Sequence, residues 1–298
     1  MSDIATPLQS EKPSVASSSA GKLGSNHFFA RLMRSPQGKL GMLIIGLVMV
    51  MVLFGPYLAP HSPDDMAPLS RYKGPSSANW LGTDQYGRDL LSRILYGARA
   101  TVVLAFMATA IGSLIGAFIG TLCAFLGGRF DEIVMRTIDA VMAIPSLLFA
   151  LLIVNLMGKG EINAVLAIAI AFVPSMTRIT RSVALAIRKQ DFVSAAIARG
   201  ESSLYVVLRE MLPNVVAPVV VEMTIRVAFA VMLFATLSFL GLGAQPPASE
   251  WGLMAAEARK FMHLSPWMIL WPSAAVAMVA IGFNLLGDGL RDALNPKT

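Results

Sequence analysis

The segment Arg188-Lys189-Gln190-Asp191-Phe192-Val193-Ser194-Ala195-Ala196-Ile197-Ala198-Arg199-Gly200, continued by Glu201 through Leu212-Pro213-Asn214, decides the fold. Apolar runs at 162–187 and 215–240 flank it. Each is long enough to cross a hydrocarbon core of about 30 Å, which takes about 20 helical residues. A polar connection between two such runs must lie in water or among headgroups. Within it, the small pair Ala195 and Ala196 followed by Gly200 permits a short helix, a sharp turn and a second short helix. That shape docks in a groove of another protein; an ordinary amphipathic loop is the plainer alternative.

Outward from this connection, further apolar runs extend from Leu40 to about Ala59 and over 99–127, 133–157 and 266–287. The expectation is an all-α integral membrane protein with six transmembrane helices and both termini cytoplasmic. Arg31, Arg34 and Lys39 precede the first run, and a basic flank favours the inside. The 178–209 region is also basic, with Arg178, Arg181, Arg188, Lys189, Arg199 and Arg209, whereas the short opposite connection at 158–161 has only Lys159. The first outside loop complicates this pattern, because it carries Arg71, Lys73, Arg88, Arg93 and Arg99, with Asp64, Asp65, Asp84 and Asp89 among them. Such a loop translocates with its charges paired. Residues 1–30 are polar and Ser-rich without an apolar core, so they read as a disordered cytoplasmic tail rather than a signal peptide. The expected organisation is this tail, a first transmembrane helix at 31–60, a periplasmic loop at 61–98 and a core at 99–298 containing the connection 188–214.

Composition agrees: 55% of residues are hydrophobic and 14% charged, too few charges for a soluble domain of 298 residues. The net charge of +6 is spread in short runs between apolar segments. Lipid headgroups or an acidic partner suit that distribution better than nucleic acid. Cys123 is the single cysteine, so an internal disulfide is impossible. His27, His61 and His263 lie apart, with no H-E-x-x-H pattern or Cys/His cluster to bind a metal. Neither a G-x-S-x-G elbow nor a phosphate-binding G-x-x-x-x-G-K-[ST] loop occurs. No catalytic residue is assigned, and any ATP used by the protein must bind another polypeptide.

Inside the apolar runs, Gly112, Gly116 and Gly120 recur on one helix face and predict close approach of another helix. Pro145, Pro174, Pro218 and Pro272 predict bends. Glu222 and Arg226 stand one turn apart and predict an ion pair, either on a translocation route, against a partner, or neutralised near headgroup water. The numerous methionines read as core filling.

The connection also resembles the coupling loop of ABC importer permeases, whose pattern is Glu-Ala-Ala, a glycine four residues after the second alanine, and a His-x-Leu-Pro-type ending. Ala195, Ala196, Gly200, Leu212 and Pro213 match that pattern; Ser194 replaces the common Glu, and Glu210 the frequent His. Three other segments are similar to the C-type subunit of dipeptide, oligopeptide and nickel permeases: Leu81 to Asp89 with Ser92-Arg93 and Tyr96 to Arg99; Leu237 to Gly243 with Pro246-Pro247, Glu250-Trp251-Gly252 and Glu257-Ala258-Arg259; and Phe283 to Asp292. The resemblance implies a type I ABC importer permease fold in a multi-pass protein of the bacterial inner membrane. It further implies a second homologous permease, two ATPase subunits holding ATP and Mg, and a periplasmic substrate-binding protein, with no cofactor bound directly by this chain. On that reading, segments 81–99 and 241–265 form a vestibule. Asp84, Arg88, Asp89 and Trp251 offer surface contacts there, unless Asp84, Arg88 and Asp89 pair to hold the loop. Di- or oligopeptides lead as substrates, ahead of nickel chelates, glutathione, opines or sugar oligomers. An ATP-independent secondary transporter would show a complete midplane site or repeats, and a membrane enzyme a convergent set of reactive groups.

Overall fold

A computed structural model describes residues 32–33 and 35–294; the expected tail at 1–30 lies outside them. The described residues form nine helices of eight residues or more and no strand, with one isolated β-bridge between Thr83 and Asp89. Helix α1 spans Pro36–Leu58. Its start follows from local chemistry, because the Ser35 hydroxyl accepts from the Gly38 N–H at 3.3 Å and Pro36 needs no partner for a missing N–H.

Helix α2 covers Leu90–Leu126. At 1.5 Å per residue it is about 55 Å long and outreaches the hydrocarbon core. Sequence hydropathy placed its start near 99; the helix begins nine residues earlier, at Leu90, where the Asp89 carboxylate accepts from the Ser92 N–H at 2.8 Å and caps it.

The span expected at 133–157, with a bend at Pro145, is two helices, α3 (Gly128–Met142) and α4 (Ser146–Met157), set at 92° to each other. Pro145 carries the break: it supplies no N–H, and the residue before proline is pushed away from helical geometry. Helix α3 is amphipathic, and its acids meet basic residues of α5 (Glu161–Ile187), Asp131 pairing with Arg181 and Asp139 with Arg178. Pro174, Pro218 and Pro272, by contrast, lie inside uninterrupted helices.

After α5 comes the short α6 (Asp191–Ala198) and then α7, which runs over Ser203–Phe239. Helix α8 (Trp251–Ala258) and the last span, α9 (Trp267–Leu294), complete the chain. Five helices are long and apolar enough to cross a membrane, and the bent α3–α4 pair makes a sixth passage if counted as one span.

Lipid tails are as apolar as leucine, so close packing rather than water exclusion must join these helices. The tightest join is between α2 and α5. A Cβ on Gly112 would stand 2.5 Å from the Ala169 carbonyl oxygen, on Gly116 2.5 Å from the Met176 Cβ, and on Gly120 2.5 Å from the Thr177 carbonyl oxygen. The glycine ladder read from the sequence is therefore the seam itself. Helices α1, α7 and α9 pack around this pair, and the main core cluster joins Ala98, Ala105 and Ala108 of α2 to Ile168 and Phe172 of α5 and Val231 and Phe234 of α7.

Candidate functional site

The segment 188–214 closes one end of the bundle. Helix α6 buries Val193 and Ala196 completely, against Ala124 of α2, Ala184 of α5 and Val206, Met211 and Val215 of α7. This second cluster fastens α6 to the ends of three long helices. Arg188 Nη1 adds a hydrogen bond to the Ala124 carbonyl oxygen at 3.1 Å. The opposite face of α6 is open: Ser194 and Ala195 are exposed, as are the larger Phe192 and Ile197. Leu204, Tyr205 and Leu208 at the start of α7 extend this uncovered apolar surface.

Gly200 makes the turn at φ +81°, a left-handed conformation that glycine adopts without a Cβ penalty. The expected second short helix is not separate; it continues directly into the α7 span. Pro213 has no N–H for the preceding turn, and the backbone there widens into a π-helical stretch at Val206–Met211. The Asn214 amide donates to the Glu210 carbonyl oxygen at 2.6 Å. Glu210, one of the two departures from the resembled pattern, approaches Arg199 across the turn at 3.5 Å, and Glu201 approaches the same guanidinium at 3.7 Å.

At the other end, segments 81–99 and 241–265 do meet. The Asp84 carboxylate accepts from Arg88 Nε at 2.6 Å and from the backbone N–H groups of Tyr86 and Arg88. Arg93 Nη1 lies 3.6 Å from Asp84, and Arg88 Nη2 lies 3.6 Å from Glu257 of α8. Two buried cations thus face two acids, which keeps the cluster neutral where an unpaired charge would be costly. Asp89 works separately: besides capping α2, it accepts from the Asn79 amide at 2.9 Å.

Trp251 overturns the expectation of a surface contact, because it is wholly buried. Its indole N–H donates to the Ile94 carbonyl oxygen at 3.0 Å, and its backbone N–H donates to the Thr101 hydroxyl at 3.2 Å. Thr101 in turn donates to Glu250, whose carboxylate caps α8 by accepting from Gly252 and Leu253. Burial pushes the Glu250 carboxyl above the usual carboxylate range, while the Gly252 and Leu253 N–H groups and the Ser238 and Thr101 hydroxyls oppose the shift. Arg93, Thr101, Glu250 and Glu257 received no role from the sequence. An arginine interrupting an apolar run was the available signal, but its partner Glu257 lies in a distant part of the chain.

Between the ends, Glu222 and Arg226 form the ion pair that their spacing predicts, at 2.8 Å. Arg226 lines a cavity of about 590 Å³ bounded by the α3–α4 break, α5 and α7. Among the described residues, no three His, Cys, Asp or Glu side chains gather as a metal site.

Residues 112–298 match the family described as the binding-protein-dependent transport system inner membrane component, and residues 26–75 match the N-terminal transmembrane domain of oligopeptide transport permease C. The chain belongs to this permease family. Its relatives include a dipeptide transport system permease of Alkalihalophilus pseudofirmus, 38% identical over 90% of this chain and 88% of that protein. A probable D,D-dipeptide transport system permease of Escherichia coli is 40% identical over 88% of each chain. A glutathione transport system permease of Pectobacterium atrosepticum is 38% identical over 91% of this chain and 90% of the relative. The fold matches a chain of the inward-facing MetNI methionine ABC transporter with a TM-score of 0.53 at 16% identity, covering 68% of this chain and 97% of that one. This permease is accordingly a multi-pass inner-membrane protein with an ABC importer fold, and membership of the family implies work within a multi-subunit transporter.

Proposed function

We propose that this permease is the C-type subunit of an ATP-driven importer that moves di- and oligopeptides across the inner membrane. The observation that carries the reading is α6, apolar and uncovered on one face and fastened on the other to the ends of α2, α5 and α7. A partner that seats on Phe192, Ala195 and Ile197 and moves would displace three spanning helices together. Motor and gate are coupled by that rigid connection, which shifts the balance between inward- and outward-facing forms.

In this reading both termini and the 188–214 segment are cytoplasmic. Two ATPase subunits bind ATP and Mg and perform all hydrolysis, and this chain is non-catalytic. A second homologous permease lines the route with it. The 81–99 and 241–265 segments face the periplasm and receive a loaded binding protein. Asp84, Arg88, Asp89 and Trp251 hold the shape of that surface from within. Ser194, Ala195, Ala196, Gly200, Glu210, Leu212 and Pro213 form or brace the coupling segment. The dipeptide relatives favour peptides as substrates; the glutathione relative keeps that tripeptide as the main alternative, and both present free carboxylates.

Purification of tagged chain from its native membrane in mild detergent tests the proposal. Recovery of a second permease and ATPase subunits, with dipeptide uptake on reconstitution that needs ATP and the binding protein, is the expected result. Recovery of this chain alone, transporting without ATP, would establish a secondary transporter instead.

A further inference from the structure

Arg226 sits well inside α7, with about 20 Å of helix between it and Phe239. Among the described residues it is the one charged side chain lining the cavity of about 590 Å³. The rest of that wall is largely apolar, with Phe149, Phe172, Phe229 and Met232, and carries the hydroxyls of Ser146, Ser175 and Thr236. Cavities of about 300–1,000 Å³ with an apolar lining and a few polar groups are the usual form of small-ligand sites.

The guanidinium is held by neighbours on α5 and α7. Its Nε donates to the Met176 sulfur at 3.0 Å, a weak acceptor, and its central carbon lies 5.6 Å from the centroid of the Phe172 ring. Nη2 approaches Glu222 at 2.8 Å. Arginine has five N–H donors, and Nη1 takes no partner among the described residues. A cation serving only to join helices would have its donors consumed by the neighbouring helix. Here Arg226 lines the cavity with a donor to spare.

Resting on the importer reading above, we infer that Arg226 is a way-station for the free carboxylate of the peptide in transit. The guanidinium fork matches a carboxylate with two parallel hydrogen bonds. Glu222 is the resident counter-ion that the arriving carboxylate displaces and that returns when the peptide leaves. One anion replaces another, so Arg226 is never an unpaired cation inside the membrane. Exchange of near-equal partners also keeps the site weak, as a route must be if its cargo is to leave.

The test uses the complete transporter in proteoliposomes, with ATP inside and binding protein loaded to saturation with radiolabelled dialanine or dialanine amide. Saturation removes the binding protein's own preference from the maximal rate. The wild-type complex is expected to move the acid at least tenfold faster than the amide, Arg226→Gln to bring that ratio near one by slowing the acid, and Arg226→Lys to give an intermediate ratio. Pull-down of the second permease and ATPases monitors assembly of each variant. Equal maximal rates for acid and amide in the wild type, or an unchanged ratio in both variants, overturn the carboxylate site. Loss of the second permease from both variants also overturns it and assigns Arg226 to the subunit interface. A wild-type complex that under ATP moves neither compound, nor radiolabelled glutathione offered in the same way, refutes the importer reading itself.

Discussion

The indole N–H of Trp251 donates to the carbonyl oxygen of Ile94 at 3.0 Å, joining residues 157 positions apart in the chain. This bond pins the start of α8 to the first turns of α2. Trp251→Phe keeps most of the packing and loses the bond, at a cost of about 1 kcal/mol. Trp251→Ala also opens a cavity, at a cost of about 3–5 kcal/mol. Thermal unfolding of the detergent-solubilised complex should rank them in that order below wild type; equal stability of all three would show that the indole is not holding the two segments.

Asp84→Asn leaves Arg88 and Arg93 buried with Glu257 as their remaining acid. Breaking a buried pair from one side costs about 3–5 kcal/mol. Since the cluster is buried, the loss should persist at high salt, and thermal denaturation at low and high ionic strength would reveal it.

Ala195 and Ala196 are adjacent and chemically identical, yet Ala195 is exposed and Ala196 has no exposure at all. Ala195→Asp should weaken retention of the ATPase subunits and leave the permease folded. Ala196→Asp should disrupt the second cluster and lower thermal stability before any partner is added. Pull-down yield and the unfolding midpoint, measured together, separate the two effects; matching behaviour of the two variants would remove the assigned facing of α6.

A Cβ on Gly200 would meet nothing within 4 Å, so substitution there is penalised by backbone conformation alone. The left-handed geometry costs an L-residue about 1–2 kcal/mol, and a β-branched side chain suffers more than alanine. Gly200→Val should insert and assemble normally while uptake per ATP hydrolysed falls several-fold, with Gly200→Asn closer to wild type. Unchanged coupling in Gly200→Val would count against a rigid turn in force transfer.

Gly116→Val places new atoms against Met176 and the Thr177 backbone. Overpacking of this kind costs about 1–3 kcal/mol when neighbours can shift, and more against backbone. A lowered unfolding midpoint is expected; an unaffected midpoint would mean that α2 and α5 are not sealed at this point.

Much of the architecture was open to reading along the chain, because it depends on patterns within single helices. Apolar length marked the spans, the four-residue glycine repeat marked the α2–α5 seam, and one-turn spacing paired Glu222 with Arg226. The same reasoning marked a bend at Pro145 within 133–157 but not its sharpness, since a proline does not set the angle and hydropathy cannot register the Asp131–Arg181 and Asp139–Arg178 pairs that hold α3 against α5. It also placed Trp251 at a surface, because an aromatic flanked by prolines and charges looks the same whether it faces water or fills a pocket.

By itself, then, the order of residues determined that this is a helical membrane protein whose spans are joined by a polar connection at 188–214, for periodicity and span length act locally. Only the tertiary structure decided which face of α6 is free, that Trp251 is an internal strut, that Arg93 is neutralised by Asp84 and Glu257, and that Arg226 overlooks a cavity. Each depends on groups far apart in the chain, whose burial and charge balance exist only once the helices have packed.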